Sequence, residues 1–329
     1  MLTLDVLVIG AGMSGLVAAS QLAKTGLSVQ CVEKARGSGG RLSSKLIAAE
    51  THAESISFDL GCASFTASSE LFRSQVENWI SQGLADIWHY SEQRGAHYVP
   101  VPRSSSITRA MADELPVHFS TRISAIQKEQ DGWLAFVGES DQRIPFAMAK
   151  NIIFATPPQQ AADLLPAGHP LKTALSEPIL LPQWVLMLYV KGHLDLSEPY
   201  YEFSDSPIAK LILEQSKPGR VEQGSHQTWV LHATTAWSAE RIEMEKENIA
   251  NCLIAELAGH IASPVIVEQH YLHRWLYSQA QTHTLSKQGF VQDGEGLWFC
   301  GDYLAETDEI KGVEAAFISA SLLARNFHV

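Results

Sequence analysis

The residues in this chain whose types and spacing could do chemistry are mostly residues that bind. Gly10, Gly12 and Gly15 form a GxGxxG string directly after the apolar run Leu4 to Ile9. Met13 and Ser14 sit inside it, and an amphipathic stretch, Leu16 to Lys24, follows until Gly26. A second apolar run, Val29 to Val32, ends in Glu33. Strand, tight turn, helix, strand and acid in this order predict a βαβ unit that holds a dinucleotide. Gly10 permits the turn, Gly12 lets the backbone approach a pyrophosphate, and Gly15 lets the helix pack on the strand. The helix N-terminus offers unpaired N–H groups and its positive dipole end to phosphate. Glu33 is placed to accept the ribose hydroxyls. A bare GxGxxG is a weak signal, but the flanking strands, helix and acid make a chance match improbable.

The elements that must position these groups occupy the whole chain. At 329 residues it exceeds one ordinary core and suits two domains. Hydrophobic content of 46% and a mean hydropathy near zero predict a globular protein with little disorder. A net charge of −12 argues against non-specific binding to nucleic acid or anionic lipid. The four cysteines, Cys31, Cys62, Cys252 and Cys300, are scattered, with no CxxC pair, no disulfide framework and no metal signature. That usage fits a reducing compartment, and with no basic leader and no apolar run of about 18 residues the expectation is a cytoplasmic protein without a membrane span.

In chain order, Leu42 to Ser57 reads as a polar hairpin or loop, and Glu70 to Gln82 as a helix. Trp88, Tyr90 and Tyr98 suggest short strands, and Ser104 to Leu115 a serine-capped helix. Val117 to Ile126, Trp133 to Val137 and Ile144 to Phe146 alternate like three antiparallel strands, with a turn at Asp131-Gly132. Asn151 to Thr156 is a buried strand stopped by Pro157 and Pro158. Gln183 to Lys191, Thr228 to Thr234 and Val265 to Tyr277 are further strands, with one long helix over Ser238 to His260. Most of the tryptophans and histidines fall in this second half, which suggests aromatic surface facing a pocket. Gly296 to Asp302 returns to a buried strand ending in an acid, and Val313 to Phe327 is a closing helix. The nucleotide domain is therefore interrupted: 1–75, 103–160 and 290–329 carry the cofactor, while 76–102 and 161–289 build a substrate domain. Leaving and re-entering the first domain argues for a flavin enzyme over a simple nicotinamide dehydrogenase.

The βαβ unit followed by Arg36-Gly37-Ser38-Gly39-Gly40-Arg41 resembles the flavin amine oxidase superfamily. The longer string Glu33 to Lys45 is similar to its renalase branch. So are Phe58-Asp59-Leu60-Gly61, Phe65-Thr66-Ala67, Ile107 to Met111, Trp229 to Thr234, His273-Arg274-Trp275-Leu276-Tyr277 and Cys300-Gly301-Asp302. The resemblance implies an α/β fold: a glutathione-reductase-like, Rossmann-type FAD domain plus a mixed α+β substrate domain with an antiparallel sheet. It implies non-covalent FAD and oxidation of dihydronicotinamide isomers, reduced at the 2- or 6-position, to NAD(P)+. The flavin takes a hydride and O2 reoxidises it, giving H2O2; the cofactor carries the chemistry and no side chain is catalytic. Amine oxidation, desaturation or non-catalytic FAD binding remain alternatives. The protein is expected to be a monomer or weak homodimer.

Carried over by position, the resemblance assigns Gly10, Gly12, Met13, Ser14 and Gly15 to the pyrophosphate and Glu33, Lys34 and Arg36 to the adenosine end. Gly40 and Arg41 lie toward phosphate or flavin, and Gly61, Cys62, Ala63 and Ser64 along the isoalloxazine. Ile123 offers its backbone to adenine, with Ala155 and Thr156 nearby. Gly301 and Asp302 bind the ribityl chain, and Val313 donates a backbone N–H near flavin N1/O2. Ser64, Phe65, Thr66, His232, Trp237, Arg274, Trp275 and Tyr277 are the substrate candidates. Two departures fall at the reacting end: Ala63-Ser64 replace the family's Gln-Tyr, and Gly312, after Lys311, replaces an arginine.

Overall fold

The structure, a computed structural model, describes every residue except 48–55, 91–94, 140, 178, 282–284 and 329. Strand β1 (Leu2–Ile9), helix α1 (Met13–Ala23) and β2 (Val29–Val32) make the expected βαβ unit. They are followed by β3 (Ser44–Ile47), β4 (Ile56–Asp59), α2 (Glu70–Ser81), β5 (Ala85–Trp88) and β6 (His97–Pro100). Next come α3 (Ser106–Asp113), β7 (Val117–His118), β8 (Ile123–Glu129), β9 (Gly132–Val137) and β10 (Ile144–Phe154). Helices α4 (Pro158–Leu164) and α5 (Lys172–Ser176) lead into β11 (Leu180–Lys191), β12 (Tyr200–Glu202), β13 (Ile208–Leu213) and β14 (His226–Ala233). The chain closes through α6 (Thr235–Glu240), α7 (Lys246–Gly259), β15 (Val267–Ala280), β16 (Val291–Gln292), β17 (Leu297–Phe299), α8 (Asp302–Ala305) and α9 (Gly312–Arg325).

These elements form a Rossmann-like sheet and a second, antiparallel one. The first has the order β16-β17-β10-β1-β2-β7, with β8 and β9 continuing antiparallel from β10. β17, β10, β1, β2 and β7 run parallel. Their residues read as continuous apolar runs because helices cover both faces. Met13, Leu16 and Val17 of α1 pack with Val313 and Phe317 of α9 on one face. Ala161, Ala162 and Leu175 of α4 and α5 cover the other. The second sheet has the order β12-β13-β14-β11-β15. One of its faces buries Trp184, Leu186, Trp229 and Leu231 under α7. Its opposite face, with Val185, Met187 and Val230, packs on Ile56, Phe58 and Leu60 of the β3–β4 hairpin and its exit.

Three local expectations change. The stretch 117–126 is two strands, because Ser120 turns the chain at a φ of 53°. β7 then joins the parallel sheet and β8 the antiparallel ribbon. Residues 144–146 and 151–154 belong to one continuous strand, β10, whose first half pairs β9 and whose end pairs β17. The helix expected over 238–260 is broken into α6 and α7. Arg241 leaves helical geometry, and its carbonyl accepts the Trp184 indole N–H at 3.3 Å.

Candidate cofactor and substrate site

The nucleotide cradle is built from backbone. Gly10 turns at a φ of 109°, and a Cβ there would lie 2.6 Å from the Ala155 carbonyl oxygen. A Cβ on Gly15 would lie 1.9 Å from the Gly10 oxygen, so side chains are excluded at both positions by the protein's own packing. Gly12 differs. Its φ of −80° suits any residue, and the nearest atom to an added Cβ is the Gly39 oxygen at 4.0 Å. Nothing in the polypeptide demands glycine there; the space beside it does, if a ligand must reach the backbone.

The second glycine run closes on the first. Gly39 donates to the Ala11 carbonyl at 2.9 Å and pairs with Gly12 in a one-residue parallel bridge. Gly40 begins a turn of 3-10 helix that carries Arg41. Met13 and Ser14 lie buried in the first turn of α1. Glu33, past β2, accepts the Ala11 and Ala35 N–H groups at 2.9 and 2.8 Å, which holds its carboxylate against the glycine loop. Lys34 reaches Gln160 at 2.7 Å, and Arg36 is exposed. Ile123, at the start of β8, lies buried beside Val32. Thr156 Oγ1 and Ser38 Oγ are buried and have no partner among the described residues.

Arg41 ties the cradle to the return of the chain. Its guanidinium grips Asp302 bidentately at 2.6 and 2.7 Å and donates to the Ser278 carbonyl on β15 at 2.7 Å. Gly301 donates to Ser319 Oγ at 3.0 Å, and Val313 lies buried in the first turn of α9. Burial, then the neighbouring Asp302, pushes the Glu306 carboxyl up to about 7. Burial likewise pushes the Cys62 and Cys300 thiols up to about 11 and about 12, so neither is a thiolate at neutral pH.

The loop leaving β4 passes between the sheets. A Cβ on Gly61 would lie 2.4 Å from the Arg41 oxygen, and Cys62 donates to that same oxygen at 2.9 Å. Ser64 lies 3.2 Å from His97 Nδ1, with Ala63 packed against Trp88, Tyr90 and Val99. Phe65 bridges to Tyr98, and Thr66 is exposed.

Four groups anchor this loop region at the base of the second sheet. Lys217 pairs with Asp59 at 3.0 Å and contacts Glu214, and Arg220 pairs with Asp59 at 2.6 Å. All four side chains are at most 4% exposed. Burial raises the Asp59 pKa, but Lys217 and Arg220 outweigh it and hold it at about 2. Burial and the adjacent Asp59 raise Glu214.

The substrate candidates divide between the two faces of the antiparallel sheet. His232 is buried on the face that packs against β4, beside Val185 in the β11–β14 register. Burial and then Lys210 depress its pKa to about 3. Trp275 shares that face, and its indole donates to the Leu60 carbonyl at 2.8 Å. His273 stacks edge-on to it at 4.4 Å; burial and then Lys246 depress its pKa to about 4. Tyr277 packs further along with Leu165, Leu175 and Ile179, and burial raises its pKa. Arg274 and Trp237 lie elsewhere. Alternation along β15 turns Arg274 to the helix-covered face, 5.9 Å over Trp184 and bonded to the Ile242 carbonyl at 2.9 Å. Trp237 packs with the same cluster under Arg241, 4.9 Å from its ring. These two are therefore not brought to the face that carries His232 and Trp275. The sequence reading missed Lys210, His97 and Gln183, whose amide links the Ala233 carbonyl (2.9 Å) and Ser278 Oγ (2.9 Å). Strand register brings Lys210 and Gln183 here, and the Phe65–Tyr98 bridge brings His97.

Comparison with known proteins agrees with this geometry at the level of fold. Residues 8–76 match the NAD(P)-binding Rossmann-like domain. Reduced UDP-galactopyranose mutase superimposes with a TM-score of 0.71 at 13% identity, over 98% of this chain and 94% of that one. Putrescine oxidase bound to putrescine gives 0.60 at 12% identity, over 99% of each. This chain has their fold. The likeness covers both sheets, so the antiparallel wall over the cradle is part of the shared architecture and not an addition to a Rossmann unit. Among the described residues, no helix is long and apolar enough to cross a membrane.

Proposed function

We propose that the chain is an FAD-dependent oxidoreductase of the renalase type, oxidising 2- or 6-dihydronicotinamide dinucleotides. The observation that carries the cofactor assignment is Gly12, where neither backbone angle nor packing calls for glycine but a closely approaching pyrophosphate does. In this reading Gly10–Gly15 and the α1 N-terminus hold the pyrophosphate, Glu33 the ribose, and Arg41 and Asp302 the ribityl end. Val313 and the α9 N-terminus favour negative charge on the reduced ring. The bound flavin supplies the hydride acceptor. The polypeptide's own work is to orient and to exclude water. Trp275, anchored to Leu60, and the loop from Gly61 to Phe65 would close the sides of the cleft. His232 and His273 stay neutral and place no positive charge beside the reacting ring. Residues 1–75, 103–160 and 290–329 form the cofactor domain in this reading, with O2 as the electron acceptor and the cytoplasm as the compartment.

The test is anaerobic stopped-flow mixing of the flavin-loaded protein with 2- and 6-dihydro-NAD. Rapid bleaching is expected, and its absence with both isomers overturns the substrate assignment. The likeness to putrescine oxidase favours a second reading, amine oxidation. It predicts bleaching by a diamine instead.

A further inference from the structure

Several charged side chains around the cleft pair with one another. Arg41 is taken by Asp302, and Lys217 and Arg220 by Asp59 and Glu214. Lys45 lies over the Tyr271 ring at 4.8 Å, toward the far end of the sheet. Among the described residues Lys210 is not taken by a carboxylate either, and unlike Lys45 it stands opposite His232. It is half-buried on β13, directly across from His232 on β14, and Ile212 lies opposite Val230 in the same register. Alternation therefore turns Lys210 to the face that packs over the β4 exit. Its charge adds to the burial that depresses His232 and opposes the burial that raises Cys62. Across the outer pairing lies Glu202, which is exposed and accepts the Tyr200 hydroxyl at 2.6 Å. Among the described residues no carboxylate is within ion-pair distance of Lys210.

A partly exposed ammonium with no carboxylate partner is free to receive an anion. The protein as a whole carries −12 and repels anions at long range, so an anionic substrate needs a local cation that salt does not screen. A cationic amine would instead need a free carboxylate. We infer that Lys210 is a specificity residue that binds an anionic group, phosphate or carboxylate, carried by the substrate at a distance from its reacting ring. This deepens the dihydronicotinamide reading, and rests on it for the identity of the ring alone.

The test uses flavin-loaded protein, followed by the flavin absorbance change on titration. The probes are nicotinamide mononucleotide, which carries a phosphate, and nicotinamide riboside, which lacks one. Inorganic phosphate serves as a competitor without any ring. Wild type should prefer the mononucleotide, and phosphate should compete. Lys210→Gln should weaken mononucleotide and phosphate binding about 10- to 100-fold and leave the riboside within about threefold. Lys210→Arg, which keeps the charge, should retain most of the preference. An unchanged mononucleotide-to-riboside ratio in Lys210→Gln overturns the inference, as does equal binding of both by wild type. If no dihydronicotinamide bleaches the flavin yet phosphate binding still depends on Lys210, the ring assignment falls and the anion site stands. If bleaching occurs but Lys210→Gln binds as wild type, the reverse holds.

Discussion

The cradle on the parallel sheet and the wall on the antiparallel sheet are specified by different physics. The cradle is made of backbone: glycines that pack where a Cβ would lie 1.9 or 2.6 Å from a carbonyl oxygen, with the first turns of α1 and α9 in one packed cluster. Such constraints are local in sequence. The wall is made of side chains from five strands whose relevance depends on which face each strand turns inward. Lys210 and His232 meet only because β13 and β14 pair in one register, and Arg274 is removed only because it falls one residue from His273 and Trp275. A cradle of this kind tolerates almost no change, whereas a wall can alter its chemistry residue by residue.

The cluster that fastens the β3–β4 hairpin to the wall should show the largest effect. Lys217→Met leaves Asp59 and Glu214 buried without their shared cation and should cost about 3–5 kcal/mol in urea unfolding. A loss below about 1 kcal/mol would mean that the cluster does not hold the hairpin to the wall. Within the cradle, two neighbouring glycines should separate. Gly15→Ala forces backbone apart and should cost about 1–3 kcal/mol of stability together with flavin. Gly12→Val should change the melting of flavin-free protein little while abolishing flavin loading. Equal destabilisation by both would remove the reason for placing a ligand at Gly12.

The wall should reveal itself through pH. His232 and His273 have folded pKa values near 3 and near 4, below their ordinary 6.5, so the unfolded chain binds protons first as pH falls. Their contribution to stability is present above about 6.5 and is lost progressively down to about 4 and then 3. Glu306, raised to about 7 from 4.5, acts oppositely: its contribution is present below about 4.5 and lost as pH rises toward 7. His232→Leu should therefore flatten the loss of stability on acidification between pH 6.5 and 4, while Glu306→Gln should steepen the gain between 4.5 and 7. Denaturant midpoints across that range read both. The smallest effect concerns thiols: at pH 8 a disulfide reagent should label exposed Cys252 quickly, half-buried Cys62 more slowly, and Cys31 and Cys300 only on unfolding.

What the sequence made legible follows the same division. The βαβ unit, the acid at Glu33 and the return at Asp302 were readable because steric and dipolar requirements act within a few residues. The face of β15 was not, because HRWLY alternates cleanly but does not say which parity points inward. The break between α6 and α7 was hidden as well, since helical periodicity runs through Arg241, whereas the carbonyls of Arg241 and Ile242 are taken by Trp184 and Arg274 from β11 and β15. Lys210 sits in an unremarkable strand, and no local pattern separates it from a solvated lysine.

Anaerobic reduction of the flavin-loaded protein by 6-dihydro-NAD, with the diamine putrescine as the control, tests the central claim most directly. Rapid bleaching at about 450 nm by the dihydropyridine and none by putrescine is the predicted result. Bleaching by putrescine alone, or by neither putrescine nor the 2- or 6-isomer, would contradict it.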